Sequence, residues 1–312
     1  VIGIDVGGAN LKVVTGDGTF IHPCPLWERS PIPEILRGYR SPGEGAAVVM
    51  SGELADCFGN KTEGIRFIVG SVRKIFPGAV FYGTDARFHR DAVPELAAAN
   101  WLVSAEYLLE RFPGSLLIDF GSTTTDIIPL VSLDPLIGQT DLDRLRSGML
   151  VYTGLLRTSV PAVLRTVDLS GISTPVCPEY FACSADVHLV LGHITGSDYT
   201  SRAPDGKGTD REACLRRLSR VVCADLEEIG EEGACAIAAA FWDAQRSLIC
   251  QAADTIRRRY GTGEVLCAGI GAALISRILG GRALAREIGR GADALPAFAV
   301  REVALRRPGS SP

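Results

Sequence analysis

Short apolar runs alternate with clusters of Gly, Ser, Thr and Asp along the chain, a pattern that predicts an α/β protein. Val1–Asp5 is an apolar run ending in an acid. Gly7-Gly8 break it, Leu11–Val14 resume a β-rich run, and Gly16-Asp17-Gly18 turns again, which predicts a strand–turn–strand hairpin. Residues 22–45 carry several Pro and Gly breakers and predict a short strand plus an irregular connection, with a helix over Ile32–Tyr39. Ala46–Met50 has the length and flanks of a buried strand, and Ser51–Asp56 follows as a polar loop. Asn60 is placed to cap a helix through Phe76, whose apolar residues keep helical spacing. Ala79–Tyr82 predicts another strand. Pro94 near a first turn and Pro113 beyond the end predict a helix from Pro94 to Arg111.

At Leu116 the opening pattern returns. Leu116–Asp119, the turn from Gly121 to Thr125, and Asp126–Leu130 again predict strand, small polar turn, strand. IGIDVGGANLK and LIDFGSTTTDI share an Asp followed two residues later by Gly, and further on a charged side chain, Lys12 or Asp126. The chain reads as two related units, 1–114 and 115–312, each opening on such a hairpin. Region 140–230 is less regular, with Asp198–Asp210 expected as a surface loop. A long helix is predicted over Gly233–Tyr260, its apolar stripe formed by Ile237, Phe241, Ala244, Leu248, Ala252 and Ile256. Val265–Ala268 predicts a strand entering Gly269-Ile270-Gly271-Ala272 and an apolar helix to Leu279. The last dozen residues are charged and end in Pro-Gly-Ser-Ser-Pro, a predicted frayed tail.

A length of 312 residues suits two domains, and 46% hydrophobic with 22% charged residues excludes a disordered or fibrous chain. The net charge of −4 argues against a general polyanion binder, so no nucleic-acid partner is expected. No apolar stretch is long enough to span a membrane, and the start does not read as a secretion signal. The first residue is Val rather than Met, so residues are expected upstream. Nine dispersed Cys without a CxxC pair predict a reduced, cytoplasmic protein with mostly buried thiols, and no zinc site.

The sharpest chemical signal is the pair of Asp-x-Gly turns. Gly, Ser and Thr in a tight turn expose several backbone N–H groups in one concavity, which suits phosphate oxygens. An Asp at the strand end beside such a nest can hold Mg²⁺ together with phosphate. An ordinary pair of hairpin turns, each Asp an Asx-turn acceptor, is the plainer reading of either turn alone. GIGA (269–272) is a weak signal by itself, because it lacks the third Gly of a dinucleotide fingerprint.

The two turns and GIGA, in that order, resemble the superfamily of actin, sugar kinases, acetate kinases and heat-shock chaperones. The resemblance implies an RNase-H-like fold twice over, each a mixed five-stranded sheet with helices, facing a central cleft. More narrowly, IGIDVGGANLK, SGELADCF (51–58) with KTEGI, FYGTDARF (81–88), AAANW (97–101), LIDFGSTTTDIIPL, TDLDRLRSGMLVYTGLLRTSV (140–160) and FACSADVHLVLG (181–192) resemble one family. It is the hydantoinase/oxoprolinase-like branch linked to tetrahydromethanopterin one-carbon transfer, whose archaeal members are synthases of methanofuran biosynthesis. The match runs over residues 1–192 and continues mainly through GIGA. It implies an alkyl/aryl transferase coupling an (aminomethyl)furanylmethyl diphosphate to the phenol of γ-glutamyltyramine, with diphosphate leaving, Mg²⁺ as cofactor and no need for ATP. His188 stands where this family leads us to expect Tyr, and it is given no catalytic role.

Against that reaction each candidate takes a role. Asp5 and Asp119 are expected to hold Mg²⁺. The turns Gly7, Gly8, Ala9, Asn10 and Gly121, Ser122, Thr123, Thr124 would cradle the diphosphate, with Gly269 and Gly271 as the third loop. Lys12 would neutralise it. Glu53 and Asp126 are the candidate general bases. Arg157 either holds the glutamyl carboxylate or makes a surface ion pair. Tyr152 and Trp101 are expected as core aromatics. The expected partners are the diphosphate and phenol substrates, with no membrane; a homo-oligomer is compatible with the sequence. Two other readings stay open: an ATP-dependent small-molecule kinase or oxoprolinase-type hydrolase, and a non-catalytic nucleotide sensor.

Overall fold

The structure, a computed structural model, describes residues 1–28 and 31–307. The Pro-Gly-Ser-Ser-Pro end expected to fray lies outside the described residues.

Two sheets organise the chain. The first contains β1 (Ile2–Val6), β2 (Asn10–Val14), β3 (Thr19–Pro23), β4 (Ala46–Met50), β5 (Val80–Tyr82) and β6 (Phe88–His89), in spatial order β3-β2-β1-β4-β5-β6. The second contains β7 (Ser115–Phe120), β8 (Thr125–Leu130) and β9 (Leu150–Val151); a separate small hairpin, β10 (Thr166–Leu169) and β11 (Ile172–Pro175), follows in sequence. Two later strands, β12 (Val265–Ala268) and β13 (Arg282–Ala283), complete the second sheet in the order β9-β8-β7-β12-β13. In each sheet the first three strands are antiparallel neighbours, and the next two add in parallel on the other side of the first. The same five-strand order therefore occurs twice, and the fold is a doubled RNase-H-like α/β architecture. The first sheet differs only by its extra edge strand β6.

Every residue of β1 and β4 is buried. That is what strands covered on both faces require, and it explains why β4 reads as an unbroken apolar run and β1 as one interrupted only by Asp5. Helices α1 (Ile32–Arg37), α2 (Lys61–Arg73) and α3 (Asn100–Leu109) belong to the first half. Asn60 caps α2 by accepting from Glu63 N–H at 3.0 Å, as its position predicts. The second half carries α4 (Asp141–Ser147), α5 (Val160–Val163), α6 (Ser184–Val190), α7 (Arg211–Arg220), α8 (Leu226–Tyr260), α9 (Ala272–Leu279), α10 (Ala285–Ile288) and α11 (Leu295–Arg306). The last of these returns to the first sheet, where Ala297 packs with Val14 and Arg301 Nε donates to Val1 O at 3.0 Å.

Three expectations change. The helix predicted over Pro94–Arg111 is broken: a 3₁₀ turn at Pro94–Leu96 gives way to extended Ala97 and to Ala98 at φ +48°, and α3 begins only at Asn100. In α8 the buried face runs through Phe241, Gln245 and Ile249, while Leu248 is exposed. The buried positions continue in four-residue steps from Ile237 through Gln245 to Ala253, a face the apolar pattern hides because its centre is polar; Gln245 is tolerated there because its amide is hydrogen-bonded. Of the nine Cys only Cys24, Cys183, Cys214 and Cys267 are buried, so the thiols are not mostly internal. The loop over Asp198–Asp210 holds no regular element, as expected. No helix among the described residues is long and apolar enough to cross a membrane.

Candidate active site

In each unit the strand carrying the Asp turns back through a four-residue loop closed in the same way. Gly7 N–H donates to Asn10 O at 3.0 Å, and Gly121 N–H donates to Thr124 O at 3.0 Å. The registers agree as well, with Asp5 opposite Lys12 and Asp119 opposite Asp126. The sequence repeat is thus a repeat of backbone geometry. Residues directly opposite on antiparallel strands share a face, so both hairpins display a charged pair just behind the turn.

The two pairs are neutralised differently. Lys12 Nζ stands 3.3 Å from Asp5 Oδ2. Asp5 is buried, and its Oδ1 has no hydrogen-bond partner. At the matching place in the second hairpin stands an acid, Asp126, whose cation comes from α4: the buried Arg144 pairs with Asp126 and, at 2.9 Å, with Asp141. Its guanidinium carbon lies 4.4 Å from the ring centroid of Trp101. Trp101 is in the core, as expected, whereas Tyr152 is 68% exposed and is not. An edge position on the short β9 loop leaves its ring in solvent.

The charges act on one another. Burial pulls the Lys12 ammonium down, but Asp5, Asp119 and Asp126 outweigh it, and Lys12 titrates above its ordinary range. Burial raises the Asp5 carboxyl, with Lys12 pulling the other way. Asp119 is pushed up to about 7, by burial first and then by Asp126, against Lys12. Among the described residues no group of three or more His, Cys, Asp or Glu side chains is arranged to hold a metal by itself. The buried Asp5 Oδ1, without a hydrogen-bond partner, and the Asp119 carboxyl are oxygen donors of the kind Mg²⁺ takes together with further oxygen ligands.

Beyond the parallel neighbours of the two Asp strands, two loops occupy equivalent places. After β4, Ser51 and Gly52 N–H both donate to Val6 O, at 3.0 and 3.1 Å. After β12, Gly271 N–H donates to Phe120 O at 2.9 Å. Gly269 has φ +80°, and a Cβ there would lie 2.4 Å from Asp119 Oδ1, so only Gly fits. Gly269 and Gly271 pack on Asp119 and Phe120 rather than lining the open cavity described next. Glu53, in the other loop, is 2% exposed with Oε2 unpartnered. Burial raises its carboxyl; its own N–H, Lys61 and the Ala98 N–H oppose that, and Asp141 adds to it. The break at Ala98 is what brings that N–H to Glu53.

A cavity of 620 Å³ opens over both turns, reached by Ala9 and Asn10 from one and by Ser122 from the other. Asp5, Lys12, Glu53, Asp119 and Asp126 lie further back and do not line it. Arg157 does, and backbone contacts fix it there: Leu155 N–H donates to Gly121 O at 2.9 Å, and Leu156 and Arg157 N–H both donate to Ser122 O at 3.0 Å. Behind this segment Gln245 Nε2 donates to Thr153 Oγ1 at 2.8 Å and to Gly154 O at 2.9 Å. His188 is buried against Gln245 and His193, with its ring edge-on to Phe120 at 6.4 Å between centroids. Sequence reasoning missed Arg144, Gln245 and the cavity wall at Thr200–Gly206. The capping box of Thr140 and Asp143 was a readable sign of the helix bearing Arg144.

A family model described as hydantoinase/oxoprolinase matches residues 44–280. The chain is 37% identical over 291 residues to the (4-{4-[2-(gamma-L-glutamylamino)ethyl]phenoxymethyl}furan-2-yl)methanamine synthase of Methanocaldococcus jannaschii, covering 89% of this chain and 88% of that protein. The synthase of the same name from Methanococcus vannielii is 36% identical over 53% of this chain and 74% of its own. Among solved structures, a non-polymerising MamK mutant bound to AMPPNP is 13% identical, with a TM-score of 0.42 over 96% of this chain and 98% of that one. An activator of the 2-hydroxyisocaproyl-CoA dehydratase from Clostridium difficile is 12% identical, with a TM-score of 0.41 over 97% and 94%. The chain is a member of the hydantoinase/oxoprolinase family.

Proposed function

We propose that this chain is an ether-forming transferase that joins an (aminomethyl)furanylmethyl diphosphate to the phenol oxygen of γ-glutamyltyramine. The carrying observation is the pair of matched turns over one cavity, with three carboxylates behind them, in a chain 37% identical to a synthase named for that ether. The phenol loses its proton, a C–O bond forms at the furanylmethyl carbon, and the old C–O bond breaks with its electron pair leaving on diphosphate. The furan oxygen delocalises positive charge at that carbon, so positioning does most of the work, up to about 7–11 kcal/mol.

The turns Gly7–Asn10 and Gly121–Thr124 offer backbone N–H donors to the diphosphate, and Lys12 adds a point charge. Asp5, with its unpartnered Oδ1, and Asp119 would hold Mg²⁺, which when bound supplies charge neutralisation for the leaving group. A phenol of pKa near 10 needs a proton acceptor. Asp126 is committed to Arg144, so the role goes to Glu53, whose carboxyl burial raises above its ordinary range.

The test is turnover of the two substrates by the purified protein with Mg²⁺. Asp5→Asn and Asp119→Asn should each lower kcat by ~10²–10³ while the fold is retained. Full activity in both variants, or thermal stabilisation by ATP rather than diphosphate with ADP formed, would overturn the proposal.

A further inference from the structure

We infer that Cys177 and Cys223 are a redox modification site: a small-molecule disulfide of the glutathione type oxidises the two thiols to one intrachain disulfide, which ties together two parts of the cavity wall. The inference is independent of the transferase reading, because the wall is joined whatever the cavity binds.

The nine cysteines are free thiols. Among the described residues only Cys177 and Cys223 bring two sulfurs together, with their Sγ atoms 3.0 Å apart. About 1 Å of side-chain movement separates that contact from a bond of ~2.05 Å. The pair can also be reached by an oxidant, since Cys223 is exposed and Cys177 only partly buried, whereas Cys24, Cys183, Cys214 and Cys267 are buried. Cys223 takes φ +59°, the left-handed region where Gly would be relaxed, so backbone preference does not account for a side chain there. The exchange balances. The Cys223 thiolate attacks one sulfur of the oxidant, forming a mixed disulfide and releasing one thiolate. The Cys177 thiolate then attacks the Cys223 sulfur and displaces the second. Two protein thiols lose two electrons and two protons, and the oxidant takes them up as two thiols.

The position of the pair gives the bond its consequence. Cys177 lies between β11 and α6, just before Tyr180, which lines the cavity. Its N–H donates to Val221 O at 2.7 Å, so this segment already rests on the end of α7. Cys223 follows in the turn between α7 and α8. α7 in turn holds another part of the lining, Asp205: the buried Arg217 donates to it through Nη1 at 3.1 Å, and Arg220 Nη1 lies 3.6 Å away. A disulfide therefore adds a covalent tie beside a hydrogen bond that can open. Tyr180 and Asp205 would then be held to the same helix end.

The test uses the full chain, incubated with oxidised glutathione, denatured, and treated with N-ethylmaleimide. Seven of the nine thiols should be alkylated, a peptide linking Cys177 to Cys223 should be found by mass spectrometry, and dithiothreitol should restore all nine. The oxidised protein should melt about 5 °C higher, since the cross-link restricts the unfolded chain. Amide hydrogen exchange over residues 178–182 should slow several-fold. Cys223→Ser should abolish the linked peptide and the shift in melting; Cys223→Gly, which suits the positive φ, should do the same with the fold secure. Cys57→Ser, at an exposed thiol elsewhere, should change neither. Nine alkylated thiols after oxidation, or separate glutathione adducts on Cys177 and Cys223 with no bond between them, would overturn the inference. So would a disulfide that leaves exchange over 178–182 unchanged, because the bond would then have no hold on the cavity wall.

Discussion

The two hairpins share backbone and differ in charge. Each turns through four residues with the same closing hydrogen bond, and each has its Asp opposite a charged residue. The first brings its own cation, Lys12, partly exposed beside the cleft. The second has an acid in that place and borrows a buried guanidinium from α4. Lys12 is partly exposed and makes one ion pair, whereas Arg144 is buried and bridges two carboxylates. A repeat can keep its backbone geometry while the charge opposite each Asp is neutralised in a different way.

The largest expected effect tests that division. Arg144→Met leaves Asp126 and Asp141 without their cation and should cost about 3–5 kcal/mol of folding stability by denaturant titration. Lys12→Met should cost clearly less, because burial already raises the Asp5 carboxyl and a proton can replace the lost ammonium. Its effect should appear in diphosphate affinity instead. Equal stability losses, or diphosphate binding unchanged by Lys12→Met, would erase the distinction between the copies.

The repeat was legible because both of its signals are local: an Asp, a Gly two residues on, and a charge further along. The element order followed from apolar runs whose flanks were equally local, whereas the doubled sheet was implied by the resemblance of the two turns and GIGA to a known superfamily. What stayed hidden depends on contacts distant in sequence. Arg144 reaches from α4 to Asp126 on β8, Gln245 reaches Gly154 from the middle of α8, and the cavity wall comes from a loop with no pattern of its own. Glu53 was visible as a polar residue after a buried strand, but its burial depends on the break at Ala98, which a run of helix-forming Ala conceals.

A smaller effect compares the supports under the two turns. A Cβ on Gly154 would lie 2.5 Å from backbone atoms of Thr123, and one on Gly52 would lie 2.9 Å from backbone atoms of Gly7 and 2.7 Å from Leu26 Cδ1. Both Ala substitutions overpack, at ~1–3 kcal/mol. Gly154→Ala should be the worse, since its neighbours are backbone alone while Leu26 can rotate away. Denaturant midpoints for the pair decide it, and a milder Gly154→Ala would mean that the second turn is the more yielding of the two.

The subtlest difference between the copies is in what sets proton affinity. Asp119, beside a second acid, is pushed up to about 7, while burial raises Asp5 against the pull of the Lys12 ammonium. The raised carboxyl must lose its proton before it can hold a cation, so Mg²⁺–diphosphate binding releases a proton near neutral pH. Affinity should fall by up to ~10-fold per pH unit as pH drops below 7, and level off above it. The same group works against the free protein: its folded pKa lies above its unfolded one, so its contribution to stability declines from about pH 4 to pH 7. Asp119→Asn removes both dependences, leaving weak Mg²⁺–diphosphate binding that is flat across that step and a free protein that loses less stability as pH rises. Calorimetry in buffers of different ionisation enthalpy counts the released proton directly. A count of zero at pH 6.5, or an affinity step that persists in Asp119→Asn, would assign the titration to another carboxylate and return the two hairpins to equal standing.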